Sequence, residues 1–80
     1  MPTLLREGPY RFFFYAFEGS PLEPAHVHVE SGDETAKYWL RPEVTMARNN
    51  GYSARELRRI QRIVEAHAPQ FEEAWNEFFG

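Results

Sequence analysis

The fold is decided by residues 26–40, which read HVHVESGDETAKYWL. The first five residues alternate, with Val27 and Val29 on one side and polar side chains on the other. Such alternation is typical of a β-strand with one buried face. Ser31-Gly32-Asp33 indicates a hairpin turn, and the alternation resumes at Thr35. The stretch therefore predicts two antiparallel strands that share one buried face.

The flanking segments extend this sheet in both directions. Thr3–Glu7 is predicted as a short strand, and Tyr10–Phe17 is almost continuously aromatic, as expected for a central strand covered on both faces. Downstream, Thr35–Arg41 and then Val44–Ala47 are predicted as the last strands. Short turns rich in glycine and proline favour antiparallel neighbours. The sequence predicts an antiparallel β-meander of three to five strands.

Helix signals follow the strands, after the loop that is predicted at Asn49-Asn50-Gly51. Ser53 is a good N-cap, and Glu56 stands three residues later, where it completes a capping box. We predict one amphipathic helix at about residues 53–67 and a second at about 69–79. The division falls there because a proline, Pro69, lacks the backbone donor and suits the first turn of a new helix.

Length and composition indicate a single domain. Eighty residues are enough for one domain, and seven Phe, four Tyr and two Trp supply its core. The absence of cysteine excludes disulfides, thiolate metal sites and cysteine nucleophiles. Strands at about residues 3–48 followed by helices predict an α+β domain over residues 1–80, with both helices on one sheet face. No segment has the pattern of a membrane helix or signal peptide, so we expect a cytoplasmic protein without a membrane partner.

The net charge of −3 conceals one basic segment. Residues 48–67 hold five arginines and two glutamates, a net charge of +3. The arginines are Arg48, Arg55, Arg58, Arg59 and Arg62. The last four are spaced to share one side of a helix, and guanidinium groups bind phosphates and carboxylates through paired hydrogen bonds. They form a candidate site for nucleic acid or an acidic partner; the alternative is a solvated face paired with nearby glutamates.

His26 and His28 are candidate catalytic residues. Side chains two apart on a strand project from the same face, and imidazoles act as acid and base near neutral pH. With Glu30 they also offer three metal ligands, but a flat row on one strand converges poorly, so we expect no metal. The alternative is that both histidines are polar positions of a half-exposed strand, packed against Tyr15 or Trp39.

The sheet face without helices is a third candidate site. Alternation places Lys37 and Trp39 there beside the histidines, near aromatic residues such as Tyr15. Aromatic side chains among basic ones are typical of single-strand nucleic-acid binders and of protein interfaces. We favour the protein interface, formed by Tyr15, Lys37 and Trp39.

Five segments together resemble a known family. They are Tyr10–Tyr15, Pro24–Val29, Ala36–Leu40, Gly51–Leu57 and Ala74–Phe79. In this order they resemble the bacterial domain of unknown function family 4160, with Ala25 where a second proline is common. The family has no established activity or catalytic residue. Its members are often encoded beside domain of unknown function 2442, in a pair proposed as a toxin–antitoxin module, which implies a candidate toxin that acts on RNA.

Three functions therefore stay open. The first is a binding module that pairs with a small cognate protein from a neighbouring gene, with RNA and a second copy of the chain as further candidate partners. The second is a small metal-independent ribonuclease, which requires His26 or His28 close to Lys37, Arg48 or Arg55. The third is a metal-binding domain, and no cofactor is expected in the first two.

Overall fold

The computed structural model describes residues 3–15 and 23–79. The described elements are β1 (Thr3–Glu7), β2 (Tyr10–Phe13), β3 (His26–Ser31), β4 (Glu34–Trp39), β5 (Thr45–Asn50) and α1 (Ala54–Phe79). The five strands form one antiparallel sheet in chain order, β1-β2-β3-β4-β5. The predicted α+β meander is confirmed. The predicted strand Tyr10–Phe17 is too long, because β2 ends at Phe13 and residues 14 and 15 are not part of a strand. Residues 16 and 17 of that prediction lie outside the described residues.

The prediction of two helices is wrong, because α1 is a single helix of 26 residues with Pro69 inside it. Its buried residues are Ile60, Val64, Phe71 and Trp75. Their spacings of four, seven and four residues keep one helical phase across the proline. A proline costs about 3 kcal/mol in a helix interior, but burying each large side chain contributes about 1.5–3 kcal/mol. Within the described part of the chain, no helix is long and apolar enough to span a membrane.

The helix packs on the sheet face that carries Val27 and Val29, both fully buried in one core with Ile60 and Val64 of α1. The predicted alternation of β3 and β4 is thus confirmed on this face. Aromatic rings extend the contact between sheet and helix, because Phe12 of β2 stacks on Phe71 of α1 at a centroid separation of 5.7 Å. Burial along α1 therefore fixes the position of the helix against the sheet.

The start of α1 follows the capping prediction in part. The Glu56 backbone N–H donates to Ser53 Oγ at 3.2 Å, as in a capping box. The Glu56 carboxylate instead accepts a hydrogen bond from the Tyr10 hydroxyl at 3.3 Å, which ties β2 to the first turn of α1. The loop predicted at Asn49-Asn50-Gly51 is wrong for its two asparagines, which are the last residues of β5.

Candidate functional site

The sheet face opposite Val27 and Val29, which we call the histidine face, carries the two candidate catalytic histidines. The prediction that no helix reaches this face is wrong at His26, because Trp75 of α1 contacts its ring. Phe13 of β2 is paired with His28 of β3, His28 with Lys37 of β4, and Lys37 with Arg48 of β5. Directly paired residues of antiparallel strands share a face, with Cβ atoms about 4.5–5.5 Å apart. One row across four strands therefore joins an imidazole to two cationic side chains.

Both histidines are buried on this face. His28 is 6% exposed and packs against the rings of Phe13 and Tyr15, at centroid separations of 5.6 and 4.7 Å. His26 is fully buried, and its Nδ1 lies 3.0 Å from the carbonyl oxygen of Pro24. Trp75 of α1 approaches the His26 ring to 4.7 Å. Solvent therefore reaches a small part of His28 and no part of His26.

The candidate interface residues differ in how far solvent reaches them. Tyr15 is 43% exposed, whereas Lys37 and Trp39 are half-buried. The Lys37 ammonium lies 3.2 Å from the Glu23 carboxylate and 4.5 Å from the centre of the Trp39 ring. An ion pair and a cation–π contact therefore already use the charge of Lys37. The predicted interface offers Tyr15 most directly to a partner.

The donor atoms of His26, His28 and Glu30 do not form a metal site. One oxygen of Glu30 accepts a hydrogen bond from Arg11 at 2.9 Å. Among residues 3–15 and 23–79, no group of three or more His, Cys, Asp or Glu side chains is arranged to hold a metal ion. This donor geometry gives no support to the metal-binding alternative.

A β-bulge in β5 separates two neighbouring surfaces. Tyr38 is paired with Met46, whereas Lys37 is paired with Arg48, so Ala47 is an extra residue in β5. Met46 therefore faces α1 with Tyr38, and Arg48 faces the other side with Lys37. Without the bulge, residues two apart would share one face. No sequence signal indicated this change of direction.

The four helical arginines are all exposed on α1, and we call them the arginine stripe: Arg55, Arg58, Arg59 and Arg62. With about 3.6 residues per turn, the stripe lies away from the buried Ile60. In the described segments, none of the four forms an ion pair with a carboxylate; Arg59 instead interacts with the Tyr10 hydroxyl. Arg48 does not continue the stripe, because it lies on the histidine face.

A groove between β5 and the first half of α1 was missed by the sequence reasoning. It has a volume of about 480 Å³. Four apolar or aromatic residues form the part of the lining that we call the floor: Tyr38, Met46, Ala54 and Leu57. Four polar or charged residues of α1 form the part that we call the rim: Arg58, Gln61, Arg62 and Glu65. The groove depends on the bulge that turns Met46 toward α1, which is why the sequence pattern did not reveal it.

Three tyrosine hydroxyls connect the sheet to the region around the start of α1. Tyr38 donates to the Leu57 carbonyl oxygen at 3.2 Å, and Tyr52 donates to the Glu34 carbonyl oxygen at 3.2 Å. Burial raises the pKa of both hydroxyls. Burial, together with the Glu56 carboxylate, also raises the pKa of Tyr10. All three groups therefore favour the neutral, hydrogen-bonding form in the folded protein.

These features define a small α+β domain in which a meander sheet is covered by one helix with a basic outer surface. The chain belongs to the family described as Domain of unknown function (DUF4160), whose model matches residues 10–76. This match confirms the family that the sequence segments resemble. Comparison with curated proteins and with solved structures gives no match.

Proposed function

We propose that this protein is one component, the candidate toxin, of a cytoplasmic two-protein toxin–antitoxin-like module, and that it binds an acidic protein encoded by a neighbouring gene. The observation that carries this proposal is the arginine stripe. Four guanidinium groups are exposed on one helix, and in residues 3–15 and 23–79 none has a carboxylate partner. An acidic partner supplies the missing carboxylates through paired hydrogen bonds.

The charge distribution along α1 supports a role in binding. The arginine stripe lies in the N-terminal half, where the helix dipole disfavours cations, and Glu73 and Glu77 lie near the C-terminus, where it disfavours anions. Arginines three and four residues apart also repel each other. These effects destabilise the isolated helix by a few tenths of a kcal/mol each. An anionic partner offsets this destabilisation in the N-terminal half of α1, where the arginine stripe lies.

A protein partner is favoured over nucleic acid by the charge of the whole chain. The net charge is −3, whereas a general polyanion binder is strongly basic. The half-buried Lys37 and Trp39 also offer little ring surface on which bases could stack. RNA is therefore the alternative outcome of the test rather than the proposed partner.

The test is co-purification with the product of the neighbouring gene, followed by a titration of the two proteins. Replacing the four arginines of the stripe by glutamine should weaken binding by about tenfold or more and reduce its salt dependence. The matched control is Glu73→Gln with Glu77→Gln, which alters exposed charges of the same helix and should change affinity less than about twofold. The proposal would be contradicted if a single-stranded RNA bound tightly to the wild type and weakly to the four-arginine variant, while the affinity of the protein partner stayed the same in both.

A second candidate function is a small metal-independent ribonuclease, favoured by the row that joins His28, Lys37 and Arg48. His28 would act as the general acid or base that transfers a proton, and Arg48 would stabilise negative charge on the phosphate in the transition state. His26, which lies 5.3 Å from His28 between ring centroids, would position it. Arg55 takes no part, because α1 lies on the other side of the sheet.

The ribonuclease candidate is tested with His28→Asn and Arg48→Gln. His26 is left unchanged because it is fully buried and contacts Trp75 of α1, so changing it would confuse folding with activity. Each variant should abolish RNA cleavage and growth arrest on overexpression while keeping the cooperative urea unfolding of the wild type. The control is Arg6→Gln, an exposed arginine of β1. Growth arrest that persists in both variants would eliminate this mechanism.

A further inference from the structure

The outer edge of β5 is open to another strand. In the portion of the chain that the structure describes, β5 pairs with β4 alone, and all six of its residues are exposed. The edge of a sheet presents backbone N–H and C=O groups without partners, which bind an added extended segment. An added strand gains main-chain hydrogen bonds from the edge and specificity from pockets beside it.

Such a pocket lies directly beside this edge. The groove between β5 and α1 is within the range of about 300–1,000 Å³ that is usual for binding pockets. Met46 is 46% exposed at this groove, so part of its apolar surface is available for contact. Arg58 and Arg62 outnumber the one carboxylate of the rim, Glu65, so the charge of the rim is net positive. An apolar side chain fits the floor, and an acidic one fits the rim.

We propose that an extended acidic segment of the partner protein adds to β5 as a sixth strand and seats an apolar side chain in the groove. This proposal rests on the proposed function for the identity of the partner and names the surface that it uses. Alternation along the added strand turns every second side chain toward α1 and the others toward the histidine face. Arg48 lies on that second face, so the side chains turned to it should be acidic. Those turned toward α1 should include one apolar residue for the floor and one acidic residue for the rim.

Charge distinguishes this occupant from a second copy of the chain. Two copies joined through their β5 edges would bring Arg48, Arg58 and Arg62 of each close to the same residues of the other. Like charges across an interface oppose association. An acidic segment neutralises the same three groups, so the electrostatics favour a different, acidic protein.

Hydrogen exchange locates the partner on the intact chain. The amides of residues 45–50 are measured in the free protein and in the complex with the neighbouring gene product. The proposal expects protection to increase in β5 and to stay unchanged in the other edge strand, β1. If protection increased only in the amides of β1, or only in those of β2 to β4, this inference would be overturned and the proposed function would still stand.

Two pairs of variants test the groove and its rim. Met46→Ala should weaken the complex by about tenfold through lost apolar burial, whereas Phe78→Ala, at a similarly exposed residue outside the groove, should have little effect. Arg58→Gln should weaken binding more than Arg55→Gln, which lies on the same helix but does not line the groove. Equal effects within each pair would overturn the inference.

The remaining outcomes separate the two proposals. If the wild-type proteins form no complex, the proposed function fails and the sixth strand fails with it. If β5 becomes protected in the free protein as its concentration rises, the occupant is a second copy and the inference is overturned. A complex with protected β5 amides and the expected order within both variant pairs supports both proposals.

Discussion

Asn49 joins the end of β5 to the start of α1 through two side-chain hydrogen bonds to the backbone of Tyr52. Its Oδ1 accepts from the Tyr52 N–H at 3.0 Å, and its Nδ2 donates to the Tyr52 carbonyl oxygen at 3.0 Å. Both backbone groups of Tyr52 are thereby satisfied where no strand or helix partner is present. The tyrosine is held with its hydroxyl 2.9 Å from Ser31 Oγ.

Replacing Asn49 by alanine should destabilise the protein by about 1–3 kcal/mol, because two backbone hydrogen bonds lose their partner. Urea unfolding followed by tryptophan fluorescence measures the change. Asn50→Ala is the control, since its side chain makes an exposed bond of 3.2 Å to Thr35, and it should change stability by less than about 0.5 kcal/mol. Equal losses in the two variants would contradict the role given to Asn49.

Replacing Pro69 by alanine should stabilise the protein by about 1–3 kcal/mol. Alanine supplies the missing backbone donor within a continuous helix and has a far better helix propensity. The measurement is the midpoint of urea unfolding, with helix content from circular dichroism. A break between two helices would favour proline at this position, so a loss of stability in Pro69→Ala would contradict the single helix.

The buried tyrosines predict a loss of stability at alkaline pH. Because burial raises the pKa of Tyr38 above its ordinary value of 10.0, the unfolded chain releases this proton at a lower pH than the folded protein. The associated stability is complete below about pH 10 and is lost as pH rises through the folded-state pKa. Tyr10 and Tyr52 contribute in the same direction.

The variant Tyr38→Phe tests this pH dependence. At neutral pH its free energy of unfolding should be lower than that of the wild type by about 1 kcal/mol, because the hydrogen bond to the Leu57 carbonyl oxygen is lost. Between about pH 9 and pH 11 its stability should fall less steeply than that of the wild type, because one titrating group is gone. Urea unfolding at several pH values measures both quantities, and an unchanged slope would show that Tyr38 does not contribute.

The fully buried His26 should behave as a core residue. His26→Ala leaves a cavity beside Trp39 and Trp75, and we expect a loss of about 2–4 kcal/mol, as for other large core side chains. His67→Ala is the control, since that ring is half-buried on α1, and it should cost about 1 kcal/mol. If His26→Ala keeps full stability, the ring does not support the core.

The strands could be predicted because their signals are local. The alternation around Val27 and Val29 follows from the geometry of one strand, and burial on the α1 side confirms it. The end of β5 could not be predicted in this way. Asparagine favours loops in general, but Asn49 uses its side chain to bond Tyr52 while its backbone stays in the strand.

The errors at the helix and on the histidine face have one cause. Pro69 is a strong local signal, but tertiary packing of Phe71 and Trp75 on the same sheet keeps α1 continuous. The two histidines do project opposite Val27 and Val29, yet the rings of Phe13 and Trp75 leave His28 and His26 little or no exposure. Contacts between distant segments decide burial, and a local pattern does not contain them.

The single extra residue in β5 makes side chains two positions apart face opposite sides of the sheet. Because Ala47 interrupts the pleat, Met46 belongs to the helical side of the molecule and Arg48 to the opposite side. A regular pleat through Ala47 would place Met46 and Arg48 on the same face and would merge two chemically different surfaces. The irregular pairing at Ala47, rather than the identity of any one side chain, therefore keeps the apolar groove and the basic row apart.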